Sequence, residues 1–67
     1  MSYPKLRGAI REKFGTQEAF AKALGVHPST LVQKLAGKVE WTVSEVQASV
    51  KLLEIPKDCI SDYFFKD

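Results

Sequence analysis

The sequence is poor in the residues from which covalent and metal-based frameworks are built. Its 67 residues include one cysteine and one histidine, so neither an internal disulfide nor a cysteine-based zinc site can form. A single thiol without a framework is typical of a reducing compartment, and we expect a cytoplasmic protein. The chain also lacks a Gly-rich phosphate loop and a carboxylate pair beside a nucleophile. We therefore expect no enzymatic activity, no cofactor, no metal and no small-molecule ligand.

Long hydrophobic runs are missing as well. No stretch approaches the roughly 20 apolar residues of a membrane span, and the N-terminal MSYPKLRG lacks the apolar segment of a signal peptide. We therefore expect no membrane association. Apolar residues still make up 45% of the chain and charged residues 27%, which favours one globular domain over residues 1–67 rather than a disordered chain.

The charges are distributed unevenly along the chain: acidic residues are scarce in the first half and basic residues are scarce in the second half. Residues 1–38 carry seven Lys and Arg against two Glu, a net charge of +5, whereas residues 39–67 carry three Lys against six Asp and Glu, a net charge of −3. A small domain polarised in this way is suited to a polyanion that docks at one end. The alternative is that the lysines are merely solvated.

Hydrophobic spacing predicts an all-α fold, a compact bundle of five short helices. Leu6, Ile10 and Phe14 recur every four residues and predict a first helix over residues 4–13. The other predicted helices lie between Thr16 and Gly25, from Pro28 to Gly37, from the capping box Thr42–Glu45 onward, and over residues 57–65. The link Lys38–Trp41 is the one place where a short strand is conceivable.

The second and third predicted helices are joined by a turn of three residues, Gly25-Val26-His27. So short a connection prevents antiparallel packing and favours a helix-turn-helix. On a helical wheel, Leu31 and Leu35 face the core. The opposite side carries Ser29, Thr30, Val32, Gln33 and Ala36, with Lys34 and Lys38 at its edges. Such a face suits a DNA major groove, or else it is the polar side of an ordinary surface helix.

The segment Thr16–Lys38, TQEAFAKALGVHPSTLVQKLAGK, resembles the helix-turn-helix of the lambda-repressor-like family. The following KLAGKVEWTVSEV and the terminal YFF are similar to small Cro-like regulators of phages of Gram-positive bacteria. The resemblance implies five helices, sequence-specific binding of double-stranded operator DNA, and a homodimer on a two-fold-related site.

The resemblance also implies roles for individual residues. Gln17 matches a contact to the DNA backbone, and Thr30, Lys34 and Lys38 match positions near phosphates. Ser29, Val32 and Gln33 match positions that face base edges, with Pro28 as an apolar contact at the tip of the helix. Two residues depart from the family pattern: His27 replaces the usual Ser or Thr cap, and Gln33 replaces a common Arg, which favours adenine over guanine.

Several other residues have a structural and a functional interpretation. Trp41 is expected to attach the fourth helix to the core rather than stack on a base, Cys59 to be a small buried hydrophobe rather than a redox switch, and His27 to be an exposed cap rather than a pH sensor. Arg7 and Arg11 suit phosphate contacts and plain solvation equally well.

The C-terminal aromatics Tyr63, Phe64 and Phe65 are too close together for all three rings to face inward. They are candidate contacts of a homodimer, and the alternative is that Phe64 closes the bottom of the core. The combined hypothesis is a Cro-like repressor that inserts its third helix into an operator and blocks RNA polymerase. The rival hypothesis is an anti-repressor, or another protein-binding module, that uses the same fold to bind another regulator.

Overall fold

The computed structural model of the chain describes residues 3–64, and these residues form five α-helices connected by short turns. The helices are α1 (Pro4–Phe14), α2 (Gln17–Leu24), α3 (Pro28–Leu35), α4 (Val43–Leu53) and α5 (Ile60–Phe64), with one 3₁₀ turn at Lys57–Cys59 before α5. No strand is found in residues 3–64, and Lys38–Trp41 is an irregular link. The prediction of an all-α fold with five helices is confirmed.

Local signals set the ends of the helices. Thr16 caps α2, because its hydroxyl accepts the amide N–H of Ala19 at 3.1 Å. The predicted capping box of α4 is also present: the Thr42 hydroxyl accepts the N–H of Glu45 at 3.1 Å, and the Glu45 carboxylate accepts the N–H of Thr42 at 2.9 Å. These bonds satisfy amides that have no partner within their own helix.

The core draws on every helix. Its buried members are Leu6, Ile10, Phe20, Ala21, Leu31, Leu35, Leu53, Ile55 and Phe64. The apolar spacing of α1 is confirmed for Leu6 and Ile10, while Phe14 is half-buried and packs edge-on against the ring of Phe20 at 5.3 Å. The apolar series of α4 is buried at Leu53, but Val43 at its start is 74% exposed.

The aromatic cluster near the C-terminus closes the core. Phe64 is only 4% exposed, and its ring meets that of Trp41 edge-on with centroids 5.2 Å apart. Phe64 is therefore a core residue, and its prediction as a dimer contact is wrong. Tyr63 is half-buried against the core, and Phe65 lies outside the described residues. Trp41 packs against the core as expected.

Cys59 is half-buried rather than fully buried and has a free thiol. Among residues 3–64, no three His, Cys, Asp or Glu side chains come together in a way that could hold a metal ion. Over the same range, no helix combines the length and the apolar character needed to cross a membrane.

Candidate functional site

The turn between α2 and α3 is held by local hydrogen bonds. Gly25 ends α2 with a φ of 88°, and its N–H donates to the carbonyl of Ala21 at 2.9 Å. His27 caps α3, because its Nδ1 accepts the N–H of Ser29 at 3.2 Å. Pro28 occupies the first turn of α3, where its fixed φ suits a helix and the missing N–H costs nothing. The expectation that His27 is an exposed cap is confirmed.

The two sides of α3 differ sharply. Leu31 and Leu35 are completely buried, as the helical wheel predicted. The exposed residues of α3 and its C-cap are Pro28, Ser29, Val32, Gln33 and Ala36, and we refer to them as the outer face of α3. Val32 is 52% exposed, which is high for a branched apolar side chain. The outer face is therefore accessible, small in its side chains except at Gln33, and uncharged.

Lys34 does not lie where the sequence suggested. It is 4% exposed, and its ammonium is 2.8 Å from the Oε1 of Glu45 and donates to the carbonyl of Glu40 at 2.8 Å. The same ammonium lies 5.8 Å from the centroid of the Trp41 ring. The prediction that Lys34 contacts a phosphate is wrong. The flexible stem of lysine carries the charge inward, where a carboxylate, a carbonyl and an aromatic face surround it.

Glu45 is the ion-pair partner that stabilises the buried ammonium of Lys34. Burial raises the pKa of Glu45, but hydrogen bonds from Lys34 and from the backbone N–H of Thr42, together with the charge of Lys34, outweigh that effect. The net result is a pKa below the ordinary value, so the carboxylate is ionised at neutral pH. One carboxylate thus caps α4 and neutralises the only charged side chain of α3.

The other predicted backbone contacts remain near the surface. Lys38 is exposed just beyond α3, and Thr30 and Gln17 are half-buried. Gln17 lines a surface groove of about 620 Å³ together with Arg7 and Arg11. The fold therefore places the side chains of Arg7, Arg11 and Gln17 in one groove, which their positions in the sequence did not predict. Arg7 also connects two helices, because its Nη2 donates to the carbonyl of Leu35 at 2.8 Å.

A second groove, of about 500 Å³, was missed by sequence reasoning. Its apolar lining comes from the start of the chain, the link before α4, and helices α4 and α5: Tyr3, Trp41, Val43, Val46, Ile60 and Phe64. Glu40 and Gln47 complete the lining, and we call the whole feature the aromatic groove. Val43 begins the apolar series of α4 in the sequence, but its exposure is visible only in the structure, so no sequence signal indicated the groove.

The walls of the aromatic groove pack against the core. The ring of Trp41 lies edge-on to both Tyr3 and Phe64, with centroids 6.2 and 5.2 Å apart. Its Nε1 is buried and has no hydrogen-bond partner among the described residues. The Lys34 ammonium lies near the same indole ring. Trp41 therefore belongs both to the cluster that holds α3 and to the wall of the groove.

Comparisons with known proteins give a family match and a similar solved structure. The profile of a family described as "Protein of unknown function (DUF739)" matches residues 1–67. No curated protein matches the chain significantly. Among solved structures, the modulator of repression of the temperate bacteriophage TP901-1 from Lactococcus lactis is similar, with 42% sequence identity and a TM-score of 0.83. The match covers 96% of this chain and 86% of that protein.

Proposed function

Because this chain belongs to the DUF739 family and resembles a phage modulator of repression over nearly its whole length, we propose that it modulates repression by binding another regulator. This is the anti-repressor hypothesis, and it takes precedence over a Cro-like repressor that acts on an operator by itself. In this proposal the protein acts by association alone, without catalysis or a cofactor, inside the bacterial cell.

The inward position of Lys34 is the observation that carries the proposal. A helix that enters a DNA groove needs nearby cations, since the phosphates supply most of the binding free energy. With Lys34 paired to Glu45, the outer face of α3 has no cation of its own. An exposed valine on an uncharged face fits the centre of a protein–protein interface, where charged residues are depleted.

We retain the lambda-repressor-like helix-turn-helix as a proposal for α2 and α3. It is supported by the three-residue turn, the left-handed Gly25 and the exposed outer face opposite Leu31 and Leu35. In this proposal α3 has the shape and the exposure of a DNA-recognition helix, but it binds a protein surface.

Binding to DNA is the second candidate function, and one observation favours it. Gln17 and Arg11 line the same groove, so an amide and a guanidinium group could meet the backbone of a duplex there, while the Arg7 guanidinium beside them already donates to the carbonyl of Leu35. Lys38, exposed just after α3, could add a further phosphate contact. The two functions are compatible if the chain binds DNA only together with the regulator it modulates.

A mobility-shift experiment with the repressor encoded in the same genome and its operator separates the two functions. We expect the chain alone to leave operator DNA unshifted at physiological salt, and to change the occupancy of the operator when the repressor is present. Val32→Glu should weaken this effect at least about tenfold, because it places a charge on the outer face. Lys51→Gln on α4 changes the net charge equally and should have no effect.

The opposite pattern would overturn the proposal. A chain that enriches one sequence from a random duplex pool without help, loses that preference in Gln33→Ala, and leaves the repressor's occupancy unchanged is a Cro-like repressor. A chain that neither shifts DNA nor affects the repressor has neither function.

A further inference from the structure

We propose that the aromatic groove is a docking site for an apolar segment of the partner regulator that carries lysine or arginine. The inference rests on the proposed function and deepens it, because it assigns the chemistry of the partner and a second surface that contacts it. The outer face of α3 and the aromatic groove share the cluster of Lys34 and Trp41, so both surfaces lie next to the same part of the core.

The shape and the lining of the groove indicate an apolar occupant. Val43 and Val46 lie one turn apart on α4, and Ile60 and Phe64 lie one turn apart on α5, so both helices contribute apolar side chains to the lining. Val43 is 74% exposed, and such a side chain gains free energy when a partner removes it from water. A volume of about 500 Å³ accommodates a few anchoring side chains of a docked helix.

The charges around the groove indicate a cationic occupant. Glu40 is the one charged residue in its lining, and it is exposed. The lysine nearest to the indole, Lys34, is already neutralised by Glu45. The acidic side chains of Glu45, Glu54 and Asp62 are paired with Lys34, Lys13 and Lys5, whereas the carboxylate of Glu40 forms no ion pair among the described residues. A DNA-binding regulator presents a cationic surface to DNA, so this groove is complementary to the surface that a modulator needs to cover.

A second copy of the chain fits this surface less well. A two-fold dimer built on the groove would place a Glu40 from each copy in an interface whose lining from residues 3–64 carries no cation, so neither carboxylate gains an ion-pair partner. A cationic partner instead gains an ion pair at the rim while it buries the valines and the aromatic rings.

The first test uses the full chain and the fluorescence of Trp41, which is the only tryptophan. The probes are a synthetic amphipathic helix with a leucine stripe and lysines elsewhere, and its twin with glutamates in place of the lysines. We expect the lysine peptide to bind about tenfold more tightly or better, against the preference that a net charge of +2 would give. Glu40→Lys should remove or reverse this preference.

Substitutions at exposed positions separate the groove from non-specific binding. Val43→Lys should weaken the lysine peptide at least about tenfold, because it adds a cation to the rim and removes apolar surface. Lys51→Gln should leave the affinity unchanged. Melting curves followed by circular dichroism check that each variant is folded. Equal affinity for both peptides, or an unchanged affinity in Val43→Lys, would overturn the proposal. So would a dimer in sedimentation that Val43→Lys abolishes, because the occupant would then be a second copy.

A second test with the repressor distinguishes failure of this inference from failure of the proposed function. If the wild-type chain changes operator occupancy and Val43→Lys does so equally, the groove is not the docking site, but the function stands. If the wild-type chain binds the lysine peptide in the groove but does not affect the repressor, the groove docks a different cationic partner and the proposed function is wrong.

Discussion

The ammonium of Lys34 lies 2.8 Å from the Oε1 of Glu45, and this pair joins the last turn of α3 to the first turn of α4. The same carboxylate accepts the N–H of Thr42 and so completes the capping box. Two functions therefore depend on one side chain: the start of α4 and the neutralisation of a buried cation. This arrangement holds α3 against α4 and keeps the ammonium of Lys34 away from the outer face of α3.

Lys34→Met should lower the free energy of unfolding by about 3 kcal/mol, because it leaves Glu45 partly buried without its partner. Methionine keeps most of the apolar stem, so the loss of stability arises mainly from removal of the ammonium charge. Urea unfolding measures the change, with Lys38→Met as a control at an exposed position, where less than about 0.5 kcal/mol is expected. The double variant Lys34→Met/Glu45→Gln should recover part of the stability. Equal effects of Lys34→Met and Lys38→Met would show that the pair has no structural importance.

The protein should lose stability as the solution is acidified through the pH range in which Glu45 takes up a proton. The folded-state pKa of Glu45 is lower than its ordinary value of 4.5, so the folded protein prefers the ionised form. This contribution is complete above pH about 4.5 and disappears as the pH falls through the lower, folded-state pKa. Thermal melts between pH 7 and pH 3 should therefore show a smaller decrease in Tm for Glu45→Gln than for the wild-type chain. An identical slope in Glu45→Gln and in the wild-type chain would contradict the assignment.

Ser49→Ala should stabilise the protein by about 1 kcal/mol. Ser49 is completely buried in α4, and its hydroxyl has no hydrogen-bond partner among the described residues. Removing a buried group that lacks a partner relieves its desolvation cost, and alanine also has the higher helix propensity. Ser61→Ala in α5 is the exposed control, with a change limited to propensity. A loss of stability in Ser49→Ala would reveal a hydrogen bond or a bound water at this hydroxyl.

The same substitution should have opposite effects at two glycines. Gly25→Ala should destabilise the protein by about 1–2 kcal/mol, because a φ of 88° is unfavourable for a residue with a Cβ even where space is available. Gly8→Ala lies inside α1 with open space around the added Cβ, and it should stabilise by about 0.5–1 kcal/mol. Chemical denaturation of both variants provides the comparison. Changes of the same sign would contradict this account of the turn.

Most of the fold could be predicted because its signals act within a few residues. Thr16 accepts an N–H three positions ahead, and Thr42 with Glu45 forms a capping box within one turn. The inward series of Leu6 and Ile10 follows from helical periodicity alone. The exposed position of Val32 opposite Leu31 and Leu35 follows from the same periodicity, so the outer face of α3 was also predictable.

The remaining features depend on which distant residues become neighbours. A helical wheel gives the direction in which a side chain leaves the helix, but it cannot show where a flexible lysine ends. Lys34 was therefore predicted to meet phosphates, whereas its ammonium meets Glu45 and Trp41. Likewise, Phe64 was as suitable for a dimer contact as for the core until the Trp41 ring was placed beside it.

By itself, then, the sequence determined five helices, their caps and the exposed face of α3, because each depends on backbone geometry and on neighbours within one or two turns. Only the tertiary structure decided that Lys34, at the edge of this face, turns inward to Glu45 and that a groove opens between Trp41, α4 and α5. Both results come from packing between segments far apart in the chain, where burial selects the partner of each side chain.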